Sequence, residues 1–274
     1  MDNQAKLSSD EQKRLADHRA RFFVPVLDIS DSTKEVLVKY SKIPEDQLQS
    51  HVESIVRYFS FLNLHIGRHQ LYQPEILPRM LSGDQTYLDL GCAFAQDIRR
   101  LVADGVDSSK CYGADLRLDF LELGYELFND RNSLSSRFIA ADIFDEDSPL
   151  KELYGQIDII DASSFFHLFT LDEQKRVARS VIKLMRTRKD SLVVGRQVGN
   201  VNPQEYPRRN GLGTRFRHDI GSWRKMWDEV GEETDVRFDV GGDMQDVPNL
   251  GTVVGAELEG ESAAMMEFYV RRLG

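Results

Sequence analysis

The chain has 274 residues, of which 41% are hydrophobic and 29% are charged, a composition typical of a soluble globular protein. Its formal net charge of -10 argues against generic binding to nucleic acid or to an anionic membrane, because both need a basic surface. A small molecule is therefore the expected partner. The sequence has no apolar stretch long enough for a membrane span and no signal-peptide core, so we expect a cytoplasmic protein.

Helices are expected in the first part of the chain. Residues 1–20 form a polar helical pattern, residues 45–64 carry apolar side chains at helical spacing, and a shorter helix is expected over 74–81. We predict that residues 1–82 form an N-terminal helical cap, whose apolar helix faces could pair in a homodimer. Residues 83–274 are predicted to form the ligand-binding domain.

From residue 86 onward, predicted strands and helices alternate. Strands are expected to end at Asp89, Asp115 and Ala141, and further strands are expected over 157–162, 191–198, 236–240 and 266–270. Helices are expected over 96–103, 118–128, 172–185 and 222–230. This alternation predicts an α/β fold in which helices cover both faces of a parallel sheet, with a final hairpin whose last strand can insert antiparallel.

Two other segments carry polar residues. Residues 199–218 are predicted to be the longest irregular loop, and their basic side chains could attract an anionic substrate or simply face solvent. Asp158, at the start of a predicted strand, is expected to face solvent. The two cysteines, Cys92 and Cys111, are expected to be reduced, buried thiols.

Three acidic residues end three successive predicted strands: Asp89, Asp115 and Asp142. In a doubly wound sheet the carboxyl ends of the strands line one crevice, where carboxylates can hold the sugar and the base of a nucleotide-like ligand. The pattern therefore indicates a cofactor that contains adenosine.

The turn after the first strand indicates which cofactor. A dinucleotide fingerprint needs small residues at three places, which here hold Gly91, Ala93 and Gln96. Gln96 is too large for close helix packing, and Asp89 would repel a pyrophosphate. A cofactor with a cationic amino group and no phosphate fits better. Because alanine tolerates positive φ poorly, we predict that Ala93 keeps a negative φ.

The segment Asp89-Leu-Gly91-Cys-Ala93-Phe-Ala95 resembles motif I of the class I S-adenosylmethionine-dependent methyltransferases, Asp-x-Gly-x-Gly-x-Gly, with two glycines replaced by alanine. The resemblance implies a Rossmann-like, seven-stranded, mostly parallel sheet behind the N-terminal helical cap. It also implies S-adenosyl-L-methionine as the cofactor.

A longer resemblance, over residues 38–273, is to the fungal class I methyltransferases of meroterpenoid and related polyketide pathways. It is carried by residues 87–91, 96–99, 112–117, 123–128, 164–169, 195–199, 216–218 and 227–231. Members of that group typically form a methyl ester on the carboxyl group of a farnesylated aromatic polyketide acid. The resemblance implies the same reaction here.

The resemblance also implies the cofactor contacts. The expected residues are Asp89 and Gly91 at the methionine end, Asp115 with Leu116 at the ribose, Asp142 and Ile143 at the adenine, and Asp161 and Ala162 near the methyl group. The alternative interpretation is that the acids are ordinary strand ends or helix caps. Apolar walls of the crevice are expected from Phe59, Phe61, Tyr72, Phe165, Phe166 and Trp223, and the alternative for each of these residues taken singly is a place in the core.

Three residues are candidates for the acceptor side. His167 is either a general base or a packed core residue. Arg196 and Gln197 close the fifth predicted strand and are the best placed donors for a substrate carboxylate, unless Arg196 pairs with an internal acid such as Asp161. No residue cluster has metal-ligand spacing, so no metal is expected.

The expected function is an O-methyltransferase that acts on the carboxylate of a large apolar acid. A carboxylate is already ionised at neutral pH and needs no base, whereas a phenol or an amine acceptor does. One alternative is therefore a phenol or nitrogen methyltransferase that uses His167 as base. The other is a catalytically silent regulator that binds S-adenosylmethionine.

Overall fold

The computed structural model describes residues 29–55, 64–208, 211–246 and 262–274. The helix predicted over 1–20 lies outside these ranges, as do residues 56–63 of the helix predicted over 45–64. Phe59 and Phe61 therefore also lie outside the described residues. Within the described ranges, no helix is long and apolar enough to cross a membrane.

The described part of the chain contains seven α-helices: α1 (Asp31–Glu35), α2 (Leu48–Ile55), α3 (Leu77–Leu81), α4 (Gln96–Ala103), α5 (Leu118–Phe128), α6 (Leu171–Leu184) and α7 (Ile220–Thr234). Helices α4 and α5 have the predicted bounds. Helices α6 and α7 begin with capping boxes at Thr170 and Asp219, in which side chains satisfy amide groups of the first turn. Helix α7 extends beyond the predicted residues at both ends.

The same ranges contain nine strands: β1 (Tyr87–Leu90), β2 (Cys111–Asp115), β3 (Arg137–Ala140), β4 (Ile159–Asp161), β5 (Leu192–Asn200), β6 (Gln204–Pro207), β7 (Thr214–Arg217), β8 (Phe238–Gln245) and β9 (Ala263–Arg272). Seven of them form one sheet in the order β3-β2-β1-β4-β5-β9-β8. Strand β9 runs antiparallel to both neighbours, and the other pairs are parallel. This confirms the predicted seven-stranded, mostly parallel α/β sheet.

The prediction of an irregular loop over 199–218 is wrong. Strand β5 continues to Asn200, and β6 and β7 form an antiparallel hairpin. The hairpin is held by contacts that are remote in sequence: Arg208 donates to the carbonyl of Leu168 at 2.6 Å, and Arg217 donates to that of His167 at 2.8 Å. These two basic side chains therefore brace the turn at Phe166–Leu168.

The sheet is buried on both faces. Along β5, Leu192 and Val194 pack on one face with α4, and Val193 packs on the other with α6 and α7. We call these the α4 face and the α6–α7 face. Apolar side chains from the described part of segment 29–64 form a third cluster with residues of α5 and with Phe94, so this part of the chain packs directly on the helices of the sheet.

Three of the aromatic residues predicted as walls belong to the core instead. Tyr72, Phe166 and Trp223 are at most 1% exposed. Cys92 and Cys111 are free, buried thiols, as predicted.

Asp158 does not face solvent, so that prediction is wrong. Its carboxylate is 0% exposed and accepts hydrogen bonds from Arg186 and Thr86, while Arg188 forms an ion pair with it at 2.8 Å. The two arginines follow α6 in sequence and cover this end of β4.

Candidate active site

The turn after β1 adopts a conformation that the sequence did not predict. Gly91 has a φ of 77°, and Ala93 and Ala95 have φ values of 47° and 52°. The expectation of negative φ for Ala93 is therefore wrong. Each alanine in this region costs about 1–2 kcal/mol, and such residues persist only where surrounding contacts enforce the conformation. One such contact is the amide of Ala93, which donates to the carboxylate of Asp115 at 2.9 Å.

The amide groups of this turn are used within the protein. Those of Gly91 and Cys92 both donate to the carbonyl of Ala114, at 2.8 and 3.1 Å, and that of Ala95 donates to the carbonyl of Cys92. A dinucleotide site would offer such amides to a pyrophosphate. The turn therefore suits an adenosine cofactor without phosphate, as the sequence predicted.

The residues predicted for ribose and adenine lie at the ends of β2 and β3. Asp115 is partly exposed and also accepts from the amide of Arg117 at 2.8 Å. Burial raises the pKa of its carboxyl group. Leu116 is 68% exposed, an unusual position for a large apolar side chain. Asp142 is exposed and accepts from the amide of Phe144, and Ile143 lies partly buried next to it.

Asp89 and Asp161 lie side by side on neighbouring strands, in register, and so on the same face of the sheet. Asp97 comes from α4, which covers that face. We call these three residues the acid cluster. All three are at most 6% exposed, and burial, together with their mutual repulsion, raises the pKa of Asp89 well above its usual range and that of Asp97 to about 7.

Hydrogen bonds stabilise two members of the acid cluster. Asp161 accepts from the hydroxyl groups of Tyr87 and Ser163, at 3.1 and 2.6 Å. Asp97 accepts from the amides of His65 and Ile66, at 2.7 and 3.0 Å. Among the described residues, however, no lysine or arginine forms an ion pair with the cluster. A buried group of carboxylates without a cation suits a cationic ligand group.

Asp97 was not predicted as a site residue. An acid in the first turn of a helix is usually explained by the helix dipole, so its position in the sequence gave no separate signal. The described residues contain no group of three metal-ligating side chains that could hold a metal ion.

The side chain of Arg196, in β5, lies on the α4 face of the sheet, next to the acid cluster. Its guanidinium donates to Nδ1 of His65 at 3.2 Å. Burial and the charges of Arg196 and Arg68 lower the pKa of His65 to about 3, so the imidazole is neutral. Asp161 bonds to Tyr87 and Ser163 instead, and among the described residues Arg196 has no carboxylate within ion-pair distance.

Gln197 does not share this position. Adjacent residues of a strand point to opposite faces, so Gln197 lies on the α6–α7 face, where it is 1% exposed. Of the two donors predicted for a substrate carboxylate, Arg196 and Gln197, only Arg196 therefore lies on the α4 face beside the acid cluster. The Oε1 atom of Gln197 is buried without a hydrogen-bond partner among the described residues.

His167 lies in the turn after β4 and is held by its neighbours. Its Nδ1 accepts from the amide of Val198 at 3.3 Å, which assigns the proton to Nε2. Removal from water, together with the charges of Arg217 and Arg215, lowers the pKa of the ring well below its usual range. A neutral imidazole with a protonated Nε2 can donate a hydrogen bond but is poorly suited to accept a proton.

Phe165 lies against the turn. A Cβ atom at Gly91 would be 2.5 Å from its ring, so only glycine fits there. Ala162, the first residue after β4, is fully buried, and its amide donates to the carbonyl of Val194 at 2.9 Å. The carboxyl end of β4 therefore lies close to the glycine turn and to β5.

The chain has relatives among fungal O-methyltransferases. The chain is 40% identical over 220 residues to O-methyltransferase phiE of Fungal sp. (strain ATCC 74256), covering 76% of this chain and 73% of the relative. It is 38% identical to O-methyltransferase atr3 of Stereocaulon alpinum, covering 90% and 74%, and 37% identical to the Asnovolin E/Chermesin D methyltransferase nvfJ of Aspergillus novofumigatus, covering 77% and 80%.

The chain therefore belongs to the family of fungal secondary-metabolite O-methyltransferases, which are S-adenosylmethionine-dependent enzymes with the class I fold. Its cofactor is S-adenosyl-L-methionine. No family model matches the chain. Among solved structures, the [4+2]-cyclase SpnF has the same fold, with a TM-score of 0.52 and 13% identity over 91% of this chain and 99% of that one. A cyclase with this fold illustrates that the fold alone does not define the reaction.

Proposed function

We propose that the enzyme forms a methyl ester on the carboxylate of a large apolar acid, a farnesylated aromatic polyketide (meroterpenoid) intermediate. Bound S-adenosyl-L-methionine supplies an electrophilic methyl group. The protein contributes the position of the acceptor and the exclusion of water, which are the main requirements of such a transfer.

Arg196 carries this proposal. A guanidinium that is partly buried without a carboxylate partner is costly, unless an anionic ligand completes the pair. Arginine can grip a carboxylate through two parallel hydrogen bonds. The neutral His65 fixes one side of the guanidinium and does not compete for the anion.

The cofactor roles follow from the strand ends. In this proposal Asp115 and Leu116 hold the ribose, Asp142 and Ile143 hold the adenine, Asp89 and Gly91 face the methionine end, and Asp161 and Ala162 border the methyl group. The acid cluster supports the third assignment, because a cationic ammonium group would relieve its repulsion.

The test is a substrate comparison with the intact protein and S-adenosylmethionine that carries a deuterated methyl group. We expect mass spectrometry to find the label on prenylated aromatic acids, and mild alkaline hydrolysis to release it. The matched phenols that lack the carboxyl group should stay unlabelled. Label that resists hydrolysis would favour an ether or an amine product and would overturn the proposal.

Asp115→Ala is expected to weaken S-adenosylmethionine binding by about 10- to 100-fold, because hydrogen bonds to a charged group contribute about 1.5–3 kcal/mol. Isothermal titration calorimetry measures the change. Asp31→Ala is the matched control, since among the described residues that exposed aspartate forms an ion pair only with Lys34 of its own helix. An unchanged affinity in a folded Asp115→Ala protein would remove Asp115 from the site.

His167→Gln is expected to retain turnover on the acid substrate, without a change in the pH dependence of kcat between pH 6 and 8. The pKa of His167 lies well below its usual range, so the ring is neutral throughout this window. Steady-state kinetics over that range test the prediction. A loss of about 10²- to 10⁴-fold, with the disappearance of a titration near neutrality, would indicate general-base catalysis and the phenol alternative.

Three further predictions concern the whole protein. We propose the division into a cap (1–82) and a methyltransferase domain (83–274), a homodimer formed through the N-terminal helices, and a cytoplasmic location. The described residues of the cap pack against α5, which supports its role as a cover for the domain. Analytical ultracentrifugation of the full chain and of a chain starting at residue 30 would test the dimer.

A further inference from the structure

The turn that follows β1 is strained at two places. Ala93 and Ala95 both have the left-handed backbone conformation, which is unfavourable for any residue with a Cβ atom. Such a conformation persists where the surrounding structure over-determines it. The contacts around the carbonyl groups of this turn are therefore informative.

Arg99 makes those contacts from the first turn of α4. Its Nη1 atom donates to the carbonyl of Phe94 at 2.7 Å and to that of Ala95 at 3.3 Å. The side chain is 0% exposed. One guanidinium thus binds the two carbonyl groups that follow the first strained alanine.

Asp130 fixes the other side of Arg99. The Nε and Nη2 atoms of Arg99 donate to its two carboxylate oxygens at 2.8 and 2.9 Å, and the hydroxyl group of Tyr40 donates to the same carboxylate at 2.9 Å. The guanidinium also lies over the ring of Phe128, 4.6 Å from its centre. Its plane is therefore fixed by α5, the segment after it and the N-terminal helices.

A second, independent contact holds the same carbonyl. A Cβ atom at Gly124 of α5 would be 2.6 Å from the carbonyl oxygen of Phe94, so α5 packs against the turn without room for a side chain. The turn is thus enclosed by Arg99 and by α5. The amide of Ala93, on its other side, donates to Asp115.

We propose that Arg99 is a positioning residue that, together with Asp130, holds Ala93 and Ala95 in the left-handed conformation and thereby fixes the carboxylate of Asp115. The proposal rests on the proposed function in one respect, the assignment of Asp115 to the cofactor site. Motif I has glycine at both positions, and glycine adopts positive φ without this strain, whereas this chain has alanine held by the buried ion pair.

The test uses the cofactor product S-adenosylhomocysteine and two substitutions. Arg99→Lys keeps the charge but loses the fork that binds both Asp130 and the carbonyls, and we expect calorimetry to find binding about 10- to 100-fold weaker. Adding Ala95→Gly should restore most of the lost affinity, because glycine adopts the left-handed conformation without the support of Arg99. Ala103→Gly, at the end of α4, is the matched control and should restore nothing.

Unfolding of the ligand-free proteins separates this proposal from the proposed function. Ala95→Gly should raise the melting temperature more in the Arg99→Lys background than in the wild type. If the wild type binds no S-adenosylhomocysteine but the two substitutions are coupled in this way, the proposed cofactor site is wrong and the positioning role of Arg99 is retained. Additive effects on the melting temperature, or no recovery of binding in the double variant, would contradict that positioning role.

Discussion

Arg196→Met should raise the KM for the acid substrate by about 10²- to 10³-fold, because removing one partner of a buried, hydrogen-bonded charge pair costs about 3–5 kcal/mol. The dissociation constant for S-adenosylmethionine should change much less than this KM, since Arg196 acts on Asp97 only through its charge and forms no ion pair with the acid cluster. Steady-state kinetics with the acid and calorimetry with the cofactor measure the two effects separately.

The reaction product provides an internal control. The methyl ester lacks the negative charge, so its binding should be almost the same in the wild type and in Arg196→Met. Arg196→Lys should lie between the two for the acid, because lysine keeps the charge but cannot form two parallel bonds. Arg131→Met, at an exposed ion pair with Glu122, should behave as the wild type. A wild-type KM for the acid in Arg196→Met would rule out the proposed binding of the substrate carboxylate by Arg196.

Relative to the wild type, the ligand-free Asp97→Asn protein should be more stable at pH 8 than it is at pH 5. Burial raises the pKa of Asp97 from its ordinary 3.8 to about 7, so between these values the folded protein keeps a proton that the unfolded chain has lost. The contribution of Asp97 to the free energy of unfolding of the wild type therefore falls as pH rises from about 4 to 7. The amide oxygen of asparagine can still accept from His65 and Ile66, but it carries no charge. The expected relative gain at pH 8 is about 1–3 kcal/mol.

The same substitution should weaken cofactor binding. A cationic group beside the acid cluster lowers the pKa of Asp97, so wild-type binding releases protons and tightens as pH rises from 6 to 8. Asp97→Asn should bind about 10- to 100-fold more weakly at pH 8, with a smaller proton release. Calorimetry in two buffers of different ionisation enthalpy measures that release, and Asp147→Asn, at a surface residue, is the control. Binding that is independent of pH in the wild type would contradict this assignment of the acid cluster.

Strands β1, β2 and β4 could be predicted because each is short and mostly apolar and ends at an acid or beside a glycine. Strands β8 and β9 were found only in part, because both extend well beyond the short segments predicted for them. Successive residues of β4 and β5, 159–160 and 192–194, are all buried, because helices cover both faces of the sheet there. Parallel strands covered in this way give continuous apolar runs in the sequence. The acids at the ends of β1, β2 and β4 could be predicted for the same reason, because the strand end fixes the position of the residue. The backbone thus determined this part of the site.

The other features depend on contacts between distant residues. The left-handed alanines depend on Arg99 and Asp115, and no local propensity predicts them. Half of the residues in the hairpin of β6 and β7 are exposed, and the hairpin depends on bonds to the turn at Phe166–Leu168. Asp97 joins the acid cluster only because α4 packs over β1 and β4. The separation of Arg196 from Gln197 follows from strand geometry once the two faces are known.

The position of β9 between β5 and β8 has a consequence for synthesis. On the ribosome, β5 can pair with β4 as soon as it emerges, but its other edge stays open until residues Ala263–Arg272 have been made. Pairings between such distant segments form slowly, and an open strand edge promotes aggregation in the meantime. The strand that carries Arg196 thus has both neighbours only after residues Ala263–Arg272 have been made. A nascent chain that stalls before residue 263 would expose that edge to chaperones or to other chains.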